Sequence, residues 1–191
     1  MNRFLFSFLK KTVLDITRLV GYRQSEDSRI EQSAIFWNKT EVSRFLSHSH
    51  WLGEEGLSTD VWLELGNEQG CLLERFLKLT NLETPLERVV EWGCGDGSNA
   101  IHFAKLATHF IGVDVSQASL RQCDKVLKAA GITNFLPVHV QLARPEDAFE
   151  LIQEPCDFFL CTYVFELLPS QEFGKRILDL AFKLLAPVVS R

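Results

Sequence analysis

The chain has 191 residues, 46% of them hydrophobic, which suits one domain with an appendage and a proper core. A net charge of −5 argues against a general nucleic-acid binder, and no run of about eighteen apolar residues is present to span a membrane. Five cysteines without a C-x-x-C pair indicate neither a disulfide framework nor a zinc site, so reduced thiols in a cytoplasmic protein are expected.

In chain order, residues 1–23 come first. Arg3, Lys10, Lys11, Arg18 and Arg23 oppose a single Asp15, while Leu5, Leu9, Val13, Ile16 and Val20 share one helical face. This pattern predicts a basic amphipathic helix. Two readings stay open for it: peripheral contact with an anionic membrane surface, or packing on the domain or a protein partner. Gln24 to Ser28 reads as a polar linker, and residues 29–50 as a second helix. His48 and His50 lack a third ligand nearby, so no metal site is expected. A turn follows at Trp51 to Gly56, and a third helix is expected over Asn67 to Leu79, its Leu72, Leu73, Phe76, Leu77 and Leu79 covering a sheet. A domain boundary near residue 60 separates an N-terminal helical segment, 1–60, from a second unit, 61–191.

From Glu87 onward strands and helices alternate. Strands are expected over Arg88 to Trp92, His109 to Asp114, Phe135 to Val140 and Asp157 to Thr162. Helices are expected over Ser98 to Ala107, from a Ser116 cap to Ala130 with Gly131 as the stop, from near Pro145, and over Gln171 to Leu185. This order means βαβ units, a parallel sheet and a Rossmann-like three-layer α/β sandwich. In such a sheet ligands sit at the carboxyl ends of the strands. Those ends are Gly93 to Gly97, Asp114, Gln141-Leu142 and Cys161 to Glu166.

The chain is organised around Val89-Val90-Glu91-Trp92-Gly93-Cys94-Gly95-Asp96-Gly97-Ser98. It reads as a buried strand, a glycine turn and a helix start. Glycine lets the backbone take positive φ and approach a ligand closely. An apolar run, Phe110-Ile111-Gly112-Val113, then ends in Asp114, where a nucleoside ribose would be gripped. The rival dinucleotide turn wants G-x-G-x-x-G. Counted from Gly93, the sixth position is Ser98, and the third glycine comes one residue early.

Glu91-x-Gly93-x-Gly95-x-Gly97 with Asp114 resembles motif I and the acid after it in class I S-adenosylmethionine-dependent methyltransferases. The resemblance implies S-adenosyl-L-methionine as cofactor and methyl transfer as activity. It implies a cofactor site built from Glu91, Trp92, Gly93, Cys94, Gly95, Gly97, Asn99, Asp114, Val115, Gln141 and Cys161. The glycine loop would carry the methionine moiety and Asp114 both ribose hydroxyls, with Val115 and Ser116 flanking the adenine. Glu91 would orient the loop or sense the sulfonium; a cap for the turn is the plainer role. Cys94 would fill space. Gln141 stands where many relatives carry an acid for the adenine amino group.

The stretch Cys156 to Pro169 is similar to the family's motif IV and its following turn. Relatives acting on small molecules often have histidine where Leu167 stands, which removes the obvious general base. Tyr163 and Glu166 remain as candidate catalytic or substrate-facing groups. By the same resemblance Trp37, His50 and Trp51 are candidates for a lid, or are ordinary core aromatics. The expected acceptor is a small molecule, lipid- or glycan-linked if the basic helix meets membrane, and no nucleic acid. The resemblance covers roughly residues 85–187, where a full domain would continue with further strands. A C-terminally truncated member lacking the last strands, with one open sheet edge, is therefore expected. The alternative function is a non-catalytic binding protein that needs a partner.

Overall fold

The computed structural model describes residues 24–38, 59–80 and 83–186. The expected helix at 1–23, the pair His48 and His50, and Trp51 lie outside these residues.

Four strands form one parallel sheet: β1 (Leu86–Trp92), β2 (Ala107–Asp114), β3 (Phe135–His139) and β4 (Phe158–Leu160), in the spatial order β3-β2-β1-β4. The order reverses between β1 and β4. Val89, Val90, Phe110 and Val113 have no exposed surface, as in a sheet covered on both faces. One face packs Val89, Phe110 and Leu160 against Leu73, Leu77, Phe103, Leu120 and Leu127. The other packs Val90, Ile111 and Val113 against Ile152, Phe173, Ile177 and Leu184. Consecutive residues of each strand thus serve opposite layers.

The helices are α1 (Glu26–Trp37), α2 (Thr59–Thr80), α3 (Ala100–Phe103, continued by a 3-10 turn Ala104–Leu106), α4 (Gln117–Ala129), α5 (Asp147–Leu151) and α6 (Gln171–Leu184). Ser116 caps α4 as expected, its Oγ accepting from Ser119 N–H, and Gly131 follows at φ 74°. Among the described residues no helix is long and apolar enough to cross a membrane.

Several boundaries differ from the sequence reading. The polar stretch at Gln24 to Ser28 is a helix start: Ser25 Oγ accepts from Ser28 N–H, and Glu26 and Asp27 occupy the first turn. Helix α2 begins at Thr59, two turns earlier than expected, running through Gly66 and Gly70. A Cβ on Gly66 would lie 2.1 Å from the Ser98 carbonyl oxygen, so this glycine marks a close helix–loop crossing. Leu73 and Leu77 of α2 do cover the sheet, Phe76 sets its half-exposed ring 6.0 Å from that of Phe158 in β4, and Leu72 and Leu79 are exposed. Helix α3 is shorter than expected because Ala107 is drawn into β2 opposite Leu86. β4 is shorter too, since its ladder stops at Glu91↔Leu160, where β1 turns into the glycine loop.

After α6 the chain returns to the sheet. Cys156 N–H donates to Leu184 O (2.8 Å), and Ala186 N–H donates to Cys156 O (2.9 Å). Asp157 N–H donates the other way, to Arg88 of β1 (2.9 Å). Leu185 therefore bridges in parallel along the outer side of the β4 segment. The expected bare edge is covered at its first rung.

Gly66→Ala should destabilise the fold. Overpacking costs about 1–3 kcal/mol, against a helix-propensity gain of about 1 kcal/mol. A lower urea midpoint is expected; an unchanged one would mean that α2 does not press on Ser98.

Candidate functional site

The carboxyl ends of β1, β2 and β4 open into a cleft of about 500 Å³, within the usual range for small-molecule sites. Its floor is the glycine loop. Gly93 and Cys94 both donate to Val113 O (2.8 and 3.2 Å), which folds the loop over β2. Gly93 has φ 73°, and a Cβ there would sit 2.5 Å from Val164 Cγ2. Only glycine satisfies both demands.

Asp114 ends β2 beside this loop. Its Oδ2 accepts from Gly95 N–H (3.0 Å) and its Oδ1 from Ser116 N–H (2.8 Å). Each oxygen keeps a lone pair for a further donor. Burial pushes the carboxyl up to about 6, while the bonds from Ser116 and Gly95 oppose the rise.

Glu91 is buried, 2% exposed. Its Oε1 accepts from Asn99 Nδ2 (2.7 Å), and the same amide donates to Thr162 Oγ1 (2.9 Å). Its Oε2 has no partner among the described residues. Desolvation raises its pKa to about 8; the Asn99 bond opposes this, and Asp114 and Asp96 add to it. The acid is therefore largely protonated at neutral pH.

Helix α2 braces the loop from outside. Trp62 Nε1 donates to Asp96 Oδ1 (2.9 Å) within the protein interior, and Ser98 Oγ donates to Trp62 O (2.8 Å). Helix α1 closes the opposite side: Phe36 and Trp37, ring centroids 4.9 Å apart, line the cleft. It is tied to the α6 cap, where Ser170 Oγ donates to Glu26 Oε1 (2.5 Å).

The structure gathers Glu91, Trp92, Gly93, Cys94, Gly95, Asn99, Asp114 and Val115 around one cleft, with Tyr163, Glu166 and Trp37 at its wall. Four expected positions, Gln141, Gly97, Cys161 and Ser116, are not among the cleft-lining residues. Gln141 is exposed, while its neighbours Val140 and Leu142 line the cleft. Gly97 packs against α4, where a Cβ would meet Cys123 Sγ at 3.0 Å. Cys161 is partly buried beside the cleft, its thiol pushed up to about 12, mainly by burial. Ser116 is buried as the α4 cap. Sequence reasoning missed Trp62, Asp96 and Thr162. Asp96 stands inside the glycine motif and could have been noticed; Trp62, 34 residues away, carried no local signal.

A family model described as "Methyltransferase domain" matches residues 89–188, more than half of the chain. The chain belongs to the methyltransferase domain family. Membership makes it a class I, S-adenosylmethionine-dependent methyltransferase domain. An uncharacterized protein of Rickettsia prowazekii (strain Madrid E) is 29% identical over 89 residues, which is 46% of this chain and 15% of that protein. The structure of PKMT2 from Rickettsia typhi in complex with AdoHcy is 26% identical with a TM-score of 0.45, covering 54% of this chain and 19% of that one. An S-adenosylmethionine-dependent methyltransferase from Clostridium acetobutylicum ATCC 824 shares the fold at a TM-score of 0.53 and 14% identity, covering 61% and 45%. The chain thus spans under one fifth of the length of the two rickettsial proteins.

The residues of this methyltransferase domain fit its cofactor. Glu91 holds a buried oxygen without a donor, Asp114 keeps spare lone pairs, and a Cβ on Gly95 would meet nothing within 4 Å. Space, an acceptor and an unmatched acid occur together.

The Asn99 amide should matter to stability. Asn99→Ala leaves Glu91 Oε1 without its donor, a cost of about 1–3 kcal/mol. Asn99→Asp adds a carboxyl facing Glu91 and should cost more. Thermal unfolding of the three proteins checks this order.

Proposed function

We propose that this chain transfers a methyl group from S-adenosylmethionine to a small-molecule acceptor entering between α1 and the loop after β4. The observation that carries the reading is the Gly95 N–H bond to Asp114, which brings the glycine loop and the β2 acid to one cleft. Asp114 holds the two ribose hydroxyls. The loop backbone holds the methionine part, and Val115, Val140 and Leu142 offer apolar surface to the base.

S-adenosylmethionine supplies a methyl on a positively charged sulfonium, whose departure leaves the electron pair on a neutral thioether sulfur. The protein's task is placement and exclusion of water. Trp37, Phe36, Leu167 and Leu168 provide an apolar wall, and Tyr163 and Glu166 the polar groups that face the acceptor. Tyr163 sits at φ 55°, a strained setting for a non-glycine residue, which the surrounding loop imposes. The bonds from α2 to the loop support counting residues from 61 onward as the cofactor-binding unit, with 1–60 as the helical segment beside it. A cytoplasmic protein, with residues 1–23 as its contact to a membrane surface or protein partner, belongs to this reading.

A second reading, a binding protein that needs a partner, is favoured by a specific surface. Phe182 is 84% exposed and Leu178 57% on α6, near the edge where the described sheet ends at β4. Sedimentation separates the two: a stable monomer that turns over methyl donor excludes the need for a partner.

Calorimetry with S-adenosylhomocysteine tests the ribose assignment. Asp114→Ala should lose at least tenfold in affinity; equal binding removes the assignment. The pH dependence has a definite sign. The ionised carboxylate accepts the hydroxyls, so wild-type affinity should fall by about tenfold per pH unit below about 6. In Asp114→Asn it should be flat between pH 5 and 7.

A further inference from the structure

Helix α1 turns one continuous face to two cavities. Arg29, Ser33, Phe36 and Trp37 follow one another at helical spacing on that face. Ser33, Phe36 and Trp37 line the cleft. Arg29 lines a neighbouring groove of about 1140 Å³ between α1 and α6. Leu168 belongs to both walls, so groove and cleft meet at the turn after β4. Along the helix axis Arg29 stands about 6 Å from Ser33 and about 10 Å from Phe36. The two cavities differ in charge. Among the described residues that line the cleft there is no lysine, arginine or histidine, whereas Glu91, Asp96, Asp114 and Glu166 are there. The groove sets Arg29 and Lys175 against one acid, Glu172. Glu26, one turn before Arg29, takes its bond from Ser170 Oγ.

Arg29 has donors to spare. Its Nε is covered by protein and has no hydrogen-bond partner, while the side chain as a whole is only partly buried. Among the described residues no carboxylate pairs with it. Packing holds the stem and leaves the guanidinium uncommitted. A guanidinium is always charged and meets the two oxygens of a carboxylate or phosphate with parallel N–H bonds. Lys175 and Glu172 are exposed and of opposite sign, so they offset each other at the rim. We propose that the methyl acceptor carries an anionic group, a carboxylate or phosphate, which Arg29 binds while the methyl-accepting end lies in the cleft. This rests on the reading that the acceptor enters between α1 and the loop after β4. The acids of the cleft repel the anion and turn it outward, and Phe165 and Leu168 offer apolar surface to the body between the two ends. Arg29 is thus a specificity residue and takes no part in the transfer itself.

The test titrates the full, isotope-labelled chain by NMR in saturating S-adenosylhomocysteine. The probes are benzoate, phenyl phosphate and the neutral benzyl alcohol, at an ionic strength held constant with sodium chloride. In the wild type the better anion should bind about tenfold tighter than benzyl alcohol. It should move the amide signals of Ser33 on the cleft side and Gly174 on the groove side. Whichever anion binds tighter names the acceptor's group. Arg29→Gln should remove the gap and leave benzyl alcohol binding unchanged, which also shows that the variant is folded. Arg29→Lys should keep part of the gap, since the charge stays and the planar fork goes. Equal binding of the three probes by the wild type, or the same anionic preference in Arg29→Gln, overturns the proposal. S-adenosylhomocysteine binding is measured first and separately. Its absence overturns the cofactor reading, whereas its presence without an anionic preference overturns the role of Arg29 alone.

Discussion

Asp114 holds the glycine loop in place. Its carboxylate accepts one bond from Gly95 and one from Ser116, so a single side chain joins the turn after β1 to the start of α4. The loop has few side chains to anchor itself, and its backbone N–H groups are the handles available. Parallel pairing of β1 with β2 sets the register that makes this reach possible, with Trp92 opposite Val113. Without that register the acid and the bend would face different surfaces. The cleft of this domain is built where the two meet.

Around that junction the protein keeps an unusual charge arrangement. Glu91, Asp96 and Asp114 stand close together on the cleft wall. Three unscreened carboxylates would repel one another strongly in a low-dielectric interior. The protein relieves this in different ways. Asp96 takes a bond from Trp62, Asp114 takes backbone N–H groups and reaches solvent at the cleft mouth, and Glu91 stays protonated near neutral pH.

The helices at the N-terminal side of the described chain serve the same site. Helix α2 bonds the loop from beneath through Trp62 and Ser98, and α1 lays Phe36 and Trp37 along the cleft while bonding the α6 cap. They are extensions of the cleft wall rather than packing alone. On the far edge, the chain after α6 begins to pair beside β4 at Cys156. The path of the chain there follows the parallel pattern of the other strands.

By itself the sequence determined the strand, the glycine turn, the second strand and its terminal acid, because each is written in a short run of residues with its own period and turn chemistry. It also named Glu91 and Asp114, which sit at fixed offsets from the glycines. Tertiary structure decided what depends on distant partners. Gly66 and Gly70 carry no packing signal in the sequence, and only the fold shows Ser98 and His102 lying against them. The bonds of Trp62 to Asp96 and of Asn99 to Thr162 join residues 34 and 63 apart. Gln141 left the cleft because Val140 and Leu142 face it instead. The protonation of Glu91 is the clearest case: burial and neighbouring charge set it, and neither exists until the chain has closed around the acid.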